Sequence, residues 1–178
     1  MKYKIIKEDS KIIGDHKLYR IQSLKNFKSA REGDFGGYIE SEENLSHEGD
    51  CWVYPAANVY EDGFVNENAS VAGNVSIHGH SIVDGDSYLC AISGSHIEID
   101  GNAQIRSNSH LSGNIHITDD VIVTGASKII SSEEMLVIGG KMCIGKDSVI
   151  TDCDQDEGFF INDELEDSII NRKDWMYE

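Results

Sequence analysis

Residues 53–89 read VYPAANVYEDGFVNENASVAGNVSIHGHSIVDGDSYL, and an aliphatic residue returns at every sixth place: Val53, Val59, Val65, Val71, Ile77, Val83 and Leu89. Four places after each stands Ala57, Gly63, Ala69, Val75, Ser81, Ser87 or Ser93, nearly all small. A period of six is neither the 3.6 of an amphipathic helix nor the alternation of a half-buried strand. It suits short strands joined by tight turns, with one apolar side chain per strand pointing inward and a small residue where the chain bends. Three such hexads close one triangular coil, so residues 18 apart should stack. Val53 should then lie on Val71 and Val71 on Leu89, with Val59 on Ile77 and Val65 on Val83.

The register resumes twice. Ile99, Ile105, Leu111, Ile117, Val123 and Ile129 form a second run, and Ile138, Ile144 and Ile150 a third. The joining gaps are 10 and 9 residues rather than 6, insertions of 4 and 3 that fit a bulged corner. Upstream, Ile39 and Leu45 make one more pair, in a register shifted by two from Val53. About six coils result, a rod roughly 30 Å long at ~4.8 Å per stacked strand. The hexads resemble those of the acetyltransferase-type left-handed β-helix. That resemblance implies a left-handed coil, against the usual hand of parallel crossovers. The fold expected is all-β: a single-stranded left-handed parallel β-helix of about six coils, with an N-terminal β cap and a short C-terminal helix.

Three segments follow. In residues 1–38, Tyr3–Lys7 and Leu18–Ile21 read as strands, with turn signals at Glu8-Asp9 and Gly14-Asp15. This cap should cover the open end of the coil, because a bare sheet edge invites pairing with other chains. Residues 39–150 are the β-helix. Residues 151–178 are an acidic tail in which Phe159-Phe160-Ile161 reads as a strand or plug. A helix is expected from Asp163: Asp163 and Glu166 have capping-box spacing, Leu165, Ile169 and Met176 share a face, and Arg172 and Lys173 sit near its end.

Charge divides the same way. Residues 1–38 carry nine Lys/Arg against five Asp/Glu, residues 39–150 four against seventeen, and residues 151–178 two against ten. The net of −17 argues against direct DNA binding by the helix and against anionic membranes. Acidic corners keep a rod soluble; alternatively they present an acidic face to a basic partner, with Asp84, Asp86, Asp119 and Asp120 as its candidates. Only the cap could meet an anion by charge alone. No apolar run approaches the ~20 residues of a membrane span, and the N-terminus has no signal-peptide core. Cys51, Cys90, Cys143 and Cys153 form no CxxC pair, so a reduced, cytoplasmic setting is expected.

Converging chemistry is scarce. Gly140-Lys-Met-Cys-Ile-Gly-Lys-Asp147 comes close to a phosphate-binding loop, but Asp147 replaces the magnesium-holding Ser or Thr and the segment falls inside the hexad register. Hexapeptide acyltransferases, which the repeats resemble, use a histidine base between subunits. Here the candidates are His78, His80, His96, His110 and His116, with His96 beside the longest insertion; His96 and His116 are the alternative catalytic residues. The γ-class carbonic anhydrases resemble this fold too and bind zinc with three histidines. His80 and His116 lie 36 residues apart, but the 89-to-99 insertion breaks their register and no third ligand falls beside them. No metal and no cofactor are therefore expected.

The cap carries a sharper resemblance. Leu18-Tyr-Arg-Ile-Gln-Ser-Leu-Lys-Asn-Phe27, then Gly33-Asp-Phe-Gly-Gly-Tyr-Ile-Glu-Ser-Glu-Glu-Asn-Leu-Ser46, then Gly49-Asp-Cys-Trp-Val-Tyr54 is similar to a family of phage and prophage proteins that run from such a GDxGG cap into hexads. The resemblance covers residues 18–75 and brings no catalytic residues. It implies viral or prophage origin, a host cytoplasmic setting and a homotrimer. The function expected is a non-catalytic protein that inhibits or sequesters a host defence component. Its partner would be a basic protein met through the acidic surface, or a small nucleotide-like ligand held in a groove between subunits. An acyltransferase and a structural virion β-helix are the alternatives. Trp52, Tyr54, Tyr60 and Phe64 are the candidates for the oligomer interface; covering the cap is their alternative use.

Overall fold

The hexads fold as stacked coils with three flat faces. The computed structural model describes residues 1–151 other than 29, 133 and 147, and the backbone of the strands at 159–161, 165–166 and 169–171. The first face holds Trp52–Val53, Ser70–Ala72, Tyr88–Cys90, His110–Ser112, Lys128–Ile130, Val149–Thr151 and Ile169–Asn171. The second holds Asn58–Val59, Val75–Ile77, Ile97–Ile99, Ile115–Ile117, Leu136–Ile138 and Phe159–Ile161. The third holds Phe64–Val65, Ile82–Val83, Gln104–Ile105, Ile122–Val123, Cys143–Gly145 and Leu165–Glu166. Every pairing between coils is parallel, and the chain makes a parallel β-helix of about six turns.

The stacks are those the spacing calls for. Val53 pairs with Val71 and Val71 with Leu89, Val59 with Ile77, and Val65 with Val83. Across the first insertion the step is 22, as in Leu89 on Leu111 and Ile77 on Ile99, and it then returns to 18, as in Ile99 on Ile117. These inward side chains are fully buried and form one core down the axis. Four strands of the second face contribute two buried aliphatics each, with Val75, Ile97, Ile115 and Leu136 beside the main column. Small residues such as Ser87, Ser109 and Ser127 sit at the matching places of the first face. Each of these three hydroxyls donates to the carbonyl three residues back, so a buried polar group is satisfied within its own corner.

Both insertions fall at one edge, where the first face turns into the second. A regular corner there spends residues 73–74 between strands; the bulged ones spend 91–96 and 131–135. The other two edges repeat a tight corner with a left-handed residue at its centre, and several of these residues are not glycine: Glu61, Glu67 and Asp119 have φ of 54°, 54° and 59°. Their carboxylates reach the coil below. Glu61 accepts the amide of Gly79 at 2.8 Å, Glu67 that of Gly85 at 2.9 Å and Asp119 that of Gly140 at 2.8 Å. Much of the acidity at the corners thus serves coil-to-coil bonding, and charge-assisted bonds offset the left-handed backbone.

The cap is a hairpin of β1 (Tyr3–Ile13) and β2 (His16–Ser23), turned at Gly14-Asp15 and bulged between Ile6 and Ser10. β2 pairs antiparallel with β3 (Phe35–Ile39), which begins the parallel stack at Asn58–Val59. The hairpin therefore extends the second face to nine strands and covers its edge. The two-residue offset between Leu45 and Val53 is absorbed in residues 46–51. There the buried ammonium of Lys2 donates to the Cys51 carbonyl at 2.8 Å and lies 3.1 Å from its thiol. Cys51, Cys90 and Cys143 are free thiols. Among the described residues, no helix is long and apolar enough to cross a membrane.

One expectation fails at the other end. The helix expected from Asp163 is replaced, where the chain is described, by strands Leu165–Glu166 and Ile169–Asn171, paired in parallel with Cys143–Gly145 and Val149–Thr151. Phe159–Ile161 is a strand on Leu136–Ile138, so the coils run past residue 150. An open sheet edge offers a row of unpaired amides and carbonyls, whereas a short isolated helix is marginal in water. Asp163, Arg172, Lys173 and Met176 lie outside the described residues.

Candidate functional site

The outward side of the second face brings together residues that are far apart in the chain. Parallel register puts Ser76, Glu98 and His116 in one column. The next outward position, two residues on and just past each strand, carries Tyr60, His78 and Asp100, one per coil. His78 Nε2 lies 3.1 Å from Glu98 Oε1, and His116 Nε2 lies 3.0 Å from Asp100 Oδ2. One ligand-type atom from each of His78, Glu98 and Asp100 falls within 4.8 Å of the other two. The Tyr60 ring stacks on the His78 imidazole at 4.7 Å and 12°, and Glu61 Oε2 is 3.7 Å from His78 Nδ1. Burial, and then the carboxylates of Glu98, Glu61 and Asp100, push the Tyr60 hydroxyl up to about 12.

The cluster continues into the cap. His16 Nδ1 is 3.1 Å from Glu40 and its Nε2 is 3.1 Å from Glu61. A line of alternating carboxylates and imidazoles therefore runs from Glu40 through His16, Glu61 and His78 to Glu98. Its histidine at the cap end is held above the ordinary histidine range, chiefly by the bond to Glu40. His47 and His110 are pushed below it by burial. A titration followed by imidazole carbon-bound proton resonances should place His16 highest of these three, and Glu40→Gln should bring it down. The signs follow. What His16 adds to stability is present at acid pH and fades as pH rises through its folded value. What His47 and His110 add is present at higher pH and fades as pH falls through the histidine range. His16 titrating at or below His110 would contradict the arrangement.

The other residues singled out in the sequence scatter. His96 sits in the bulged corner, where its amide donates to Asn114 Oδ1 at 2.9 Å and its Nδ1 lies 3.0 Å from the Asn74 carbonyl. His116 belongs to the second-face cluster. His80 is exposed and pairs with Asp62 at 2.9 Å, and His110 packs at 5.2 Å from Tyr88 on the first face. Of the acids, Asp84 is half-buried 3.6 Å from Arg106, and Asp119 caps Gly140. Asp120 accepts from Asn102 at 2.8 Å, and Asp86 is exposed. Trp52 is buried beneath the cap against Phe27 and Tyr3. Tyr60 is buried on His78, so these two aromatics are used within the chain. Tyr54 and Phe64 are half-buried on different faces.

A second feature lies where the cap overhangs the first face. A groove of about 650 Å³ is lined by Lys28, Tyr54, Ser70, Ala72, Asp86 and Tyr88. An adjoining hollow of about 670 Å³ is lined by Asn26, Lys28, Ala30 and Arg31. Lys28 belongs to both and donates to the Asn68 carbonyl. No family model matches this chain, and no curated protein does.

The acid–imidazole cluster does not show in the spacing of the histidines alone, because two of its members are carboxylates from a neighbouring coil. The 22-residue step created by the first insertion sets Asp100 one coil below His78, and the 18-residue step sets His116 below Glu98. Applying those two steps to acids as well as histidines would have found it.

Proposed function

We propose that the protein is a non-catalytic binding protein of viral or prophage origin that sequesters a host component, and that it works as a homotrimer in the host cytoplasm. The binding surface is the groove under the cap, and its ligand is small, anionic and ring-bearing, like a nucleotide. One observation carries the reading: in a chain of net charge −17, Lys28 of the cap shares a groove with outward tyrosines of the first face, Tyr54 and Tyr88, and Arg31 lines the hollow that adjoins it. Cations provide for phosphate and aromatic faces for a base. Asp86 on the rim disfavours a highly charged ligand. The trimer is supported by a half-exposed strip on the third face, Phe64, Ile82, Gln104, Ile122 and Cys143 in continuous register.

Calorimetric titration with mono-, di- and cyclic nucleotides is expected to give saturable heat for at least one. Lys28→Ala and Tyr88→Ala should each weaken that binding at least about tenfold. Light scattering should report 59 kDa, three times 19.7 kDa. A second reading, an acidic surface that engages a basic protein, rests on the exposed corner acids Asp62, Asp86, Asp119 and Asp120. It predicts the converse: no nucleotide heat, and capture of a host protein that Asp119→Lys/Asp120→Lys abolishes.

A further inference from the structure

We infer that His78, Glu98 and Asp100 form a binding site for one divalent transition-metal ion of the zinc class. The site is independent of the groove under the cap, which lies on another face.

Three observations converge on it. The ligand-type atoms of the three residues already lie within 4.8 Å of one another, and His78 Nε2 and Glu98 Oε1 are at 3.1 Å. Metal bonds of 2.0–2.2 Å in a tetrahedral site place neighbouring ligand atoms about 3.3 Å apart. Contraction is therefore confined to the approach of Asp100, within the reach of side-chain rotation. Second, Asp100 Oδ1 is buried and has no hydrogen-bond partner among the described residues, although its Oδ2 is held by His116. A buried carboxylate oxygen without a donor is costly, and a cation bound there satisfies it. Third, the surroundings supply what orients metal ligands. Glu61 stands 3.7 Å from the far nitrogen of His78, Tyr60 fixes the ring plane by stacking, and His116 anchors Asp100. A carboxylate behind a ligating imidazole sets its tautomer and raises its basicity.

The donor set selects the class of ion. One imidazole nitrogen with two carboxylates suits zinc and its neighbours better than calcium or magnesium, which prefer oxygen cages. Three protein ligands leave a fourth position open to solvent.

The test uses the whole chain and zinc alone. Competition against a chromophoric chelator is expected to show one tightly held Zn²⁺ per chain and a raised Tm in its presence. His78→Gln and Asp100→Asn should each weaken binding at least about tenfold. His80→Gln, at the exposed His80–Asp62 pair one corner position away, should leave it unchanged. Zinc added to the unsubstituted protein should also shift the His78 imidazole resonances and leave those of His80 in place, which locates the ion even if a variant fails to fold. Absence of saturable uptake would overturn the assignment. So would affinity unaltered in both variants, or zinc shifts at His80 in place of His78.

Discussion

Val71→Asp is expected to leave the protein without a cooperative melting transition. Val71 is fully buried between Val53 above and Leu89 below, in a column of aliphatic side chains that offers a carboxylate no donor. An unpaired charge at such a place costs more than ~3 kcal/mol, a large share of the stability of a domain this size. Because each coil rests on its neighbours, the loss should spread along the axis. Lys128→Gln is the companion variant: Lys128 is exposed on the outside of the same face, and its change should fall within about 0.5 kcal/mol. Circular dichroism melts of the two decide the matter. A Val71→Asp protein that melts within a degree of the parent would show that this column is not the core.

Gly113→Ala should be nearly as damaging, for a reason that burial alone does not capture. Gly113 turns the first face into the second with φ of 104°, and a methyl group there would overlap the carbonyl oxygen of Ser131 in the next coil. Strain and overlap add, and relief requires prising two coils apart, a cost of roughly 3 kcal/mol or more. Gly94 has a comparable φ of 86°, but it stands in the bulged version of the same corner with nothing within 4 Å. Gly94→Ala should therefore cost only about 1 kcal/mol, the backbone penalty by itself. Urea titrations of both variants separate the two contributions, and equal losses would refute the idea that contact between coils dominates.

The inward ladder was legible because a triangular coil imposes one rule on every strand: the residue that points inward must be aliphatic. Even the insertions could be read, since they add residues without disturbing the count on either side. Three things were not legible. The fate of Trp52 and Tyr60 depends on what covers them, and the cap residues that do so, Tyr3, Phe27 and His16, lie far away in sequence. The strands at 165–171 were hidden because Leu165 and Ile169 satisfy a helical face as well as a short strand, and the waiting sheet edge decides between them. The acid–imidazole cluster is assembled from neighbouring coils, so no local motif encodes it; only the step between coils does.

The edge between the first and second faces has a practical meaning. At residues 91–96 and 131–135 the chain leaves the coil for several extra positions and returns with Leu89 still on Leu111 and Ile129 still on Ile150. Extra length at this seam is thus mechanically decoupled from the stack. A foreign peptide grafted between Ile92 and Gly94 should be displayed on one side of the rod, leaving the host scaffold intact. The other two seams, where a carboxylate from one coil clasps an amide of the next, should reject the same graft.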